Sequence, residues 1–310
     1  MPPIRRAVID VGTNSVKLLV ADVAGREVQP VAEQSYQTRL GQGFYETHRL
    51  RPEAIAATAR AVANFATAAR QAQAISTRVF ATSAAREALN REELTAAIER
   101  ASGLPVEVIS GEQEADWGFQ GVTTNPELAR LPLLLLDVGG GSTQCVFGRA
   151  GQRLACHSFP LGTVRLMEAF PCSDPPKPAE LAACRQWLKQ FLQRELRPRL
   201  VMESGAIVLV GVGGAASILG CMEAELVAFD RARLEATRLS AARVSWHLER
   251  LWGLPLEERK QIVGLPKNRA DVILMGVAIY QAVMEEFGFR ELRISTRGLR
   301  FAAVLDSATR

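Results

Sequence analysis

The chain has 310 residues, enough for two domains at about 150 residues each. Hydrophobic residues make up 48% and charged residues 23%, an ordinary globular composition that excludes a disordered or fibrous chain. With 37 basic against 33 acidic residues the net charge is only +4, too weak an excess for a nucleic-acid binder, which needs one strongly basic face or segment.

The N-terminal MPPIRRAVID holds no apolar stretch long enough for a signal peptide. The longest apolar run, residues 272–283 (VILMGVAIYQAV), is too short to span a bilayer and is expected as a buried helix. The expectation is therefore a cytoplasmic protein with neither membrane nor nucleic acid as partner. The five cysteines include no CxxC pair and are expected to be reduced and partly buried. His48, His157 and His247 lie far apart, so any metal is expected to be a hard cation on carboxylates.

In chain order, residues 7–20 (AVIDVGTNSVKLLV) run from an apolar stretch through Asp and a Gly-Thr-Asn-Ser turn to a second apolar stretch. That is the pattern of strand, tight turn and strand. A strand is expected at 28–36, a helix from Pro52, well suited to a first turn, to about Gln71, and a strand at 77–81. A helix from Arg91, capped by Asn90 with Glu93 three residues on, and a strand at 106–109 follow. Residues 133–147 (LLLLDVGGGSTQCVF) then repeat the opening. A shift of 127 superimposes Asp10 on Asp137, Val11 on Val138, Gly12 on Gly139 and Ser15 on Ser142. After this second hairpin come a strand at 154–159, helices from about Thr163 and over 178–196, a strand at 206–211, several helices, a strand at 291–294 and a terminal helix from Gly298. The Pro-rich 171–178 is expected as an exposed loop. The layout is α/β with mixed sheets, in two related domains over 1–125 and 126–297.

The two Asp-led turns, 10–15 (DVGTNS) and 137–143 (DVGGGST), carry the strongest chemical signal. Gly12, Gly139, Gly140 and Gly141, with Thr13, Asn14, Ser15, Ser142 and Thr143 beside them, leave successive backbone N–H groups free to converge on an anion. One such turn is weak evidence, since most glycine turns are only turns. Two related copies weigh far more, and if the domains face each other they grip one phosphate chain from both sides. Asp10 and Asp137, at strand ends, are placed to hold a cation or a water.

In residues 109–122 (ISGEQEADWGFQGV), Ser110 is an N-cap with Gln113 completing a capping box. Glu112, Asp116 and Gln120 form a solvated stripe at i, i+4 spacing. Glu114 falls on another row with Trp117, Gly118 and Gly121, where a backbone or ligand approaches closely. It is either a hydrolytic general base or an acidic first turn that stabilises its helix. Arg86 either clamps a phosphate or faces solvent. The segment 210–220 (VGVGGAASILG) either seats a further phosphate or nucleotide or is a close-packed turn. Lys267 and Arg269, ahead of the apolar helix, are placed where they could extend an anion track. The four tryptophans are expected in the core or partly buried.

Taken together, AVIDVGTNSVKLLVADV, ATSAAREALN, VISGEQEADWGFQGV, LLLLDVGGGST, VGVGGAASIL, LPKNRADVILMGVAI and ISTRGLRFAAVL, in this order from residue 7 to residue 305, resemble the exopolyphosphatase/guanosine pentaphosphate phosphohydrolase family. The resemblance implies the actin-like superfold, two ribonuclease-H-like domains around a central cleft, with the terminal helix 298–310 crossing back to the first domain. It implies that Glu114 activates the attacking water and that Arg86 clamps phosphate. Thr13, Asn14 and Ser15 would form the first phosphate loop, Gly140, Gly141, Ser142 and Thr143 the second, and Asp137 would help hold magnesium. One position departs: Gln144 stands where the family usually has a metal-site glutamate, and its amide oxygen can still ligate a cation or hold one through water, with one negative charge fewer. The implied activity is magnesium-dependent hydrolysis of the terminal phosphoanhydride of inorganic polyphosphate, of short chains. The chain lacks the C-terminal helical domain of longer members, which favours this substrate over guanosine pentaphosphate. An actin-like small-molecule kinase and a non-catalytic anion-binding regulator are the remaining alternatives, and a homodimer is compatible with the family.

Overall fold

Apolar runs on either side of a glycine-rich turn bury one face each and satisfy their backbone by pairing with each other, so both copies of the repeat form antiparallel hairpins. In the computed structural model, which describes residues 2–200, 202 and 205–306, β1 (Ile4–Val11) pairs with β2 (Ser15–Ala24), and β3 (Glu27–Gln37) extends the ladder. Then follow α1 (Phe44–Thr47), α2 (Pro52–Gln71), β4 (Ser76–Ala81), α3 (Ser83–Glu87), α4 (Arg91–Ser102), β5 (Val106–Val108) and α5 (Gly111–Val122). The strands lie in the order β3-β2-β1-β4-β5, with β4 parallel to β1 and β5 parallel to β4.

The second hairpin, β6 (Leu133–Val138) and β7 (Thr143–Arg149), gains β8 (Gln152–Phe159) in the same way. Next come α6 (Thr163–Ala169) and α7 (Pro178–Phe191), whose last turn widens to π geometry over Leu192–Leu196. Beyond lie β9 (Val208–Val212), α8 (Gly213–Glu223), α9 (Arg231–Ala236), β10 (Arg238–Ser240), α10 (Ala241–Gly253), α11 (Leu256–Arg259), α12 (Ile273–Phe287), β11 (Glu291–Ile294) and α13 (Leu299–Asp306). The second sheet runs β10-β11-β9-β6-β7-β8. Its last five strands mirror the first sheet, the third hairpin strand outermost and the first hairpin strand central. Only β10 is extra, an antiparallel edge strand of three residues with too little alternation to betray it.

The described residues fall into two units: those through Pro126 together with those from Arg297 on, and those from Glu127 to Thr296. In the second, β6 is buried along its whole length and α12 is buried from Ile273 to Met284, which accounts for the absence of polar periodicity in its sequence. Among the described residues no helix is long and apolar enough to cross a membrane. In the first unit, Phe301, Ala302, Ala303 and Val304 of α13 are buried with Val8, Leu19, Phe80 and Trp117, and Phe301 alone contributes about 2 kcal/mol of burial. Met1 and residues 307–310 of the expected terminal helix lie outside the described residues.

Two local expectations need correction. Asn90 does not cap α4 with its side chain: its amide accepts from the Leu50 N–H at 2.9 Å and donates to the Leu50 carbonyl at 3.1 Å, tying α4 to a distant loop. Trp246 is exposed instead of core, with Arg243 and Arg250 lying over its ring at 4.3 and 5.2 Å.

Candidate active site

The repeat extends to single hydrogen bonds. The Gly12 N–H donates to the Ser15 carbonyl at 3.0 Å, and the Gly139 N–H to the Ser142 carbonyl at 2.9 Å. Strand register places Lys17 opposite Asp10 and Gln144 opposite Asp137, again 127 residues apart.

In the second unit, the carbonyls of the glycine loop are all taken from one side. Gly139 accepts from the Thr163 N–H at 2.9 Å, Gly140 from the Val164 N–H at 2.8 Å, and Gly141 from Arg165 Nε at 2.9 Å. Gly162 allows this approach, because a Cβ there would meet the Gly140 backbone. A trans peptide sets its C=O and the following N–H on opposite sides, so the amides of Gly140, Gly141 and Ser142 turn away from α6 as a row of donors. The first unit does the same with fewer bonds. The Thr13 carbonyl accepts from the Gly41 N–H at 2.7 Å and the Asn14 carbonyl from the Arg39 N–H at 3.1 Å, turning the amides of Asn14 and Ser15 the other way. Asn14 Oδ1 accepts from Gln37 Nε2 at 3.2 Å, and its Nδ2 is buried without a partner. Thr13, Asn14, Ser15, Ser142 and Thr143 are all buried.

Each loop is led by a buried carboxylate. Burial pushes Asp10 above the ordinary carboxylate range, and the charges of Lys17 and Arg300 pull it back. Asp137 sits against the start of α8, where Gly213 has φ +82° and a Cβ would strike its Oδ1. Gly213 is therefore glycine for two reasons, its left-handed backbone and the carboxylate beside it. Two further glycines of 210–220 are packing positions: Gly211 lies against Tyr280 and Leu292, Gly220 against Leu234 and Ile294. These contacts pack the segment closely around Asp137. Behind it, Tyr280 is fully buried and donates to the carbonyls of Leu136 and Val212, and burial raises its hydroxyl well above its usual value.

Arg86 lies in the last turn of α3 and does not face solvent. Its Nη1 donates to the Ile109 carbonyl at 2.9 Å, and Nη1 and Nη2 both reach Glu114 Oε2 at 3.2 Å. Glu114 is buried in the first turn of α5, whose N-cap Ser110 accepts from the Gln113 N–H as expected. The neighbouring stripe is solvated, Gln120 bonding Asp116 at 2.6 Å in the open. Trp117 is core, edge-on to Phe80 with Arg78 over its ring. Gly121 is a site of close backbone approach, by the Gly298 carbonyl at the entry to α13.

Lys267 and Arg269 form a 3₁₀ turn ahead of α12, the first exposed and the second half-buried. The residues the sequence reading passed over are Lys17, Arg165, Arg300 and Ser158. Lys17 was within reach, since the 127-residue shift maps it onto Gln144; the other three act through register or tertiary contact alone.

Among the described residues no three His, Cys, Asp or Glu side chains gather into a metal-holding group. The donors that fit a hard cation are the Asp137 carboxylate and, on the facing strand, Gln144 Oε1, which is buried and has no hydrogen-bond partner. One carboxylate and one amide oxygen suit magnesium, which keeps several waters and takes further ligands from phosphate oxygens.

Two α/β units built on one repeated sheet plan, each with an Asp-led loop of outward-turned amides, define a phosphate-handling protein of actin-like fold. The chain belongs to the Ppx/GppA phosphatase family, whose sequence model matches residues 19–310. It is 34% identical over 317 aligned positions to Exopolyphosphatase 2 of Mycobacterium tuberculosis, covering 98% of each chain. The crystal structure of the Aquifex aeolicus Ppx/GppA family member superposes with a TM-score of 0.81 at 29% identity, covering 100% of both chains. That of an exopolyphosphatase-like protein reaches 0.89, also at 29% identity, over 99% of this chain and 98% of the other.

Proposed function

We propose that this phosphohydrolase is an exopolyphosphatase that removes the terminal phosphate of inorganic polyphosphate, short chains in particular, and releases orthophosphate. The observation that carries the reading is Glu114, a buried carboxylate held by both terminal nitrogens of Arg86 in the unit that also presents an Asp-led phosphate loop. Glu114 orients a water and accepts its proton as the oxygen attacks phosphorus. Arg86 fixes the carboxylate and contributes positive charge toward phosphoryl oxygens. The amides of Asn14 and Ser15 with the Asn14 Nδ2 in the first unit, and those of Gly140, Gly141 and Ser142 with the Thr143 end of the loop in the second, are each assigned to bind phosphate oxygens. Lys267 and Arg269 extend the same affinity along the polymer. Asp137 and Gln144 Oε1 would hold magnesium, which when bound supplies charge to the phosphoryl group and the departing oxygen. Asp10, whose burial the charges of Lys17 and Arg300 offset only in part, is assigned to hold a cation or a water.

Guanosine pentaphosphate offers the same terminal bond and is the competing substrate. Phosphate release is measured with short polyphosphate, long polyphosphate, guanosine pentaphosphate and ATP, each with and without magnesium. The reading expects magnesium-dependent release fastest from short polyphosphate. Faster release from guanosine pentaphosphate would replace the substrate, and transfer from ATP to an acceptor would replace the reaction. A cytoplasmic homodimer completes the proposal, checked by cell fractionation and light scattering.

A further inference from the structure

Asp137, Gln144 and Ser158 form one row across three strands, since Asp137 on β6 faces Gln144 on β7 and Gln144 faces Ser158 on β8. Directly paired residues of antiparallel strands send their side chains to the same face, so the amide lies between a carboxylate and a hydroxyl. Gln144 is 1% exposed. Its Nε2 donates to Ser142 Oγ at 2.9 Å and to Ser158 Oγ at 3.0 Å, while Oε1 is buried with no partner. A buried acceptor left unpaired carries its full desolvation cost unless a ligand meets it.

We propose that Ser158 is a positioning residue that anchors the Gln144 nitrogen and so presents Oε1 to the divalent cation beside Asp137. The proposal rests on the magnesium reading given above. An amide has one end that attracts a dication and one that repels it, whereas a carboxylate has two equivalent oxygens. A chain with glutamine at this position therefore needs an anchor that fixes which end points inward, and a chain with glutamate does not. Ser142 belongs to the phosphate loop itself. Ser158 stands outside the loop on β8 and has the amide as its partner.

The test follows binding of Mn²⁺ alone to the full chain by the electron paramagnetic resonance of the free ion. The proteins are wild type, Ser158→Ala, Gln144→Glu, the Gln144→Glu/Ser158→Ala double variant and Asp137→Asn. Loss of the anchor is expected to weaken Mn²⁺ about tenfold in the wild-type background, as for other groups that orient metal ligands. Gln144→Glu is expected to bind more tightly, and adding Ser158→Ala to it should change affinity by less than about twofold. An equal loss in both backgrounds would mean that Ser158 only supports the strand, which overturns the proposal, as does no loss at all. Asp137→Asn separates the two levels. If it leaves Mn²⁺ bound, the magnesium reading falls and takes this proposal with it. If it abolishes binding while Ser158→Ala changes nothing, the Ser158 assignment alone falls.

Discussion

Glu114 shows how far residue chemistry carries and where it stops. Its separation from the solvated Glu112–Asp116–Gln120 stripe is a matter of helical spacing, and spacing is visible in sequence. Its partner is not: Arg86 lies 28 residues earlier, and only the folded chain brings its guanidinium to Glu114 and to the Ile109 carbonyl just ahead of α5. Gln144 is the converse case. Strand parity could not place its side chain because a four-residue turn intervenes, yet the ladder pairs it directly with Asp137. If Glu114 handles the proton of water, Glu114→Gln keeps an acceptor for Arg86 but cannot take that proton. The expected result is a kcat lower by about 10²- to 10⁴-fold with polyphosphate affinity little changed. Near-normal turnover in the variant would remove Glu114 from the chemistry.

At the scale of elements, hairpins and long helices were legible because their apolar period is local. What escaped were uses of a side chain set by tertiary neighbours, as in the Asn90 tie to Leu50 and the clamp between α8 and α10. In that clamp the buried His247 Nε2 lies 2.7 Å from Glu223 Oε2, and Arg243 reaches the same carboxylate at 2.9 Å. Burial holds the His247 imidazole below its usual value of 6.5, and the pull of Glu223 only partly offsets this. Below pH 6.5 the unfolded chain therefore takes up a proton that the folded chain resists, so stability falls with pH in that range. Glu223 is itself held below the carboxylate value of 4.5, so its own contribution lasts until more acid conditions. His247→Gln keeps a donor for Glu223 and removes the titration. It should cost about 1 kcal/mol at pH 7.5, and its deficit against wild type should shrink by pH 5.5. Thermal melts at the two pH values check this; a deficit that widens in acid would contradict the sign.

At the scale of the molecule, the duplication was legible because the Asp-led turns recur at one spacing, and the sheets built on them share one strand order. The docking of α13 on the first unit was not written in its own residues. Apolar side chains at 301–304 require some core, and only the family resemblance said which. Gly121 marks the place physically, for a Cβ there would collide with the Gly298 carbonyl where the returning chain meets α5. A backbone clash cannot be relieved by turning a side chain, so Gly121→Ala should destabilise the first unit by about 1–3 kcal/mol. The check is a denaturant melt followed by the fluorescence of Trp117, the tryptophan of that unit. An unchanged midpoint would mean that the return helix shifts at no cost.

That returning helix also separates the order of synthesis from the order of completion. Residues 127–296 leave the ribosome as one uninterrupted stretch that holds every strand of its own sheet. Residues 2–126 precede that stretch, yet the apolar surface around Val8, Leu19, Phe80 and Trp117 is covered by α13, which follows it in the chain. The first unit therefore closes only after the second has been translated, and the nascent chain carries that uncovered patch, a ready binding surface for a chaperone, while residues 127–296 are being made.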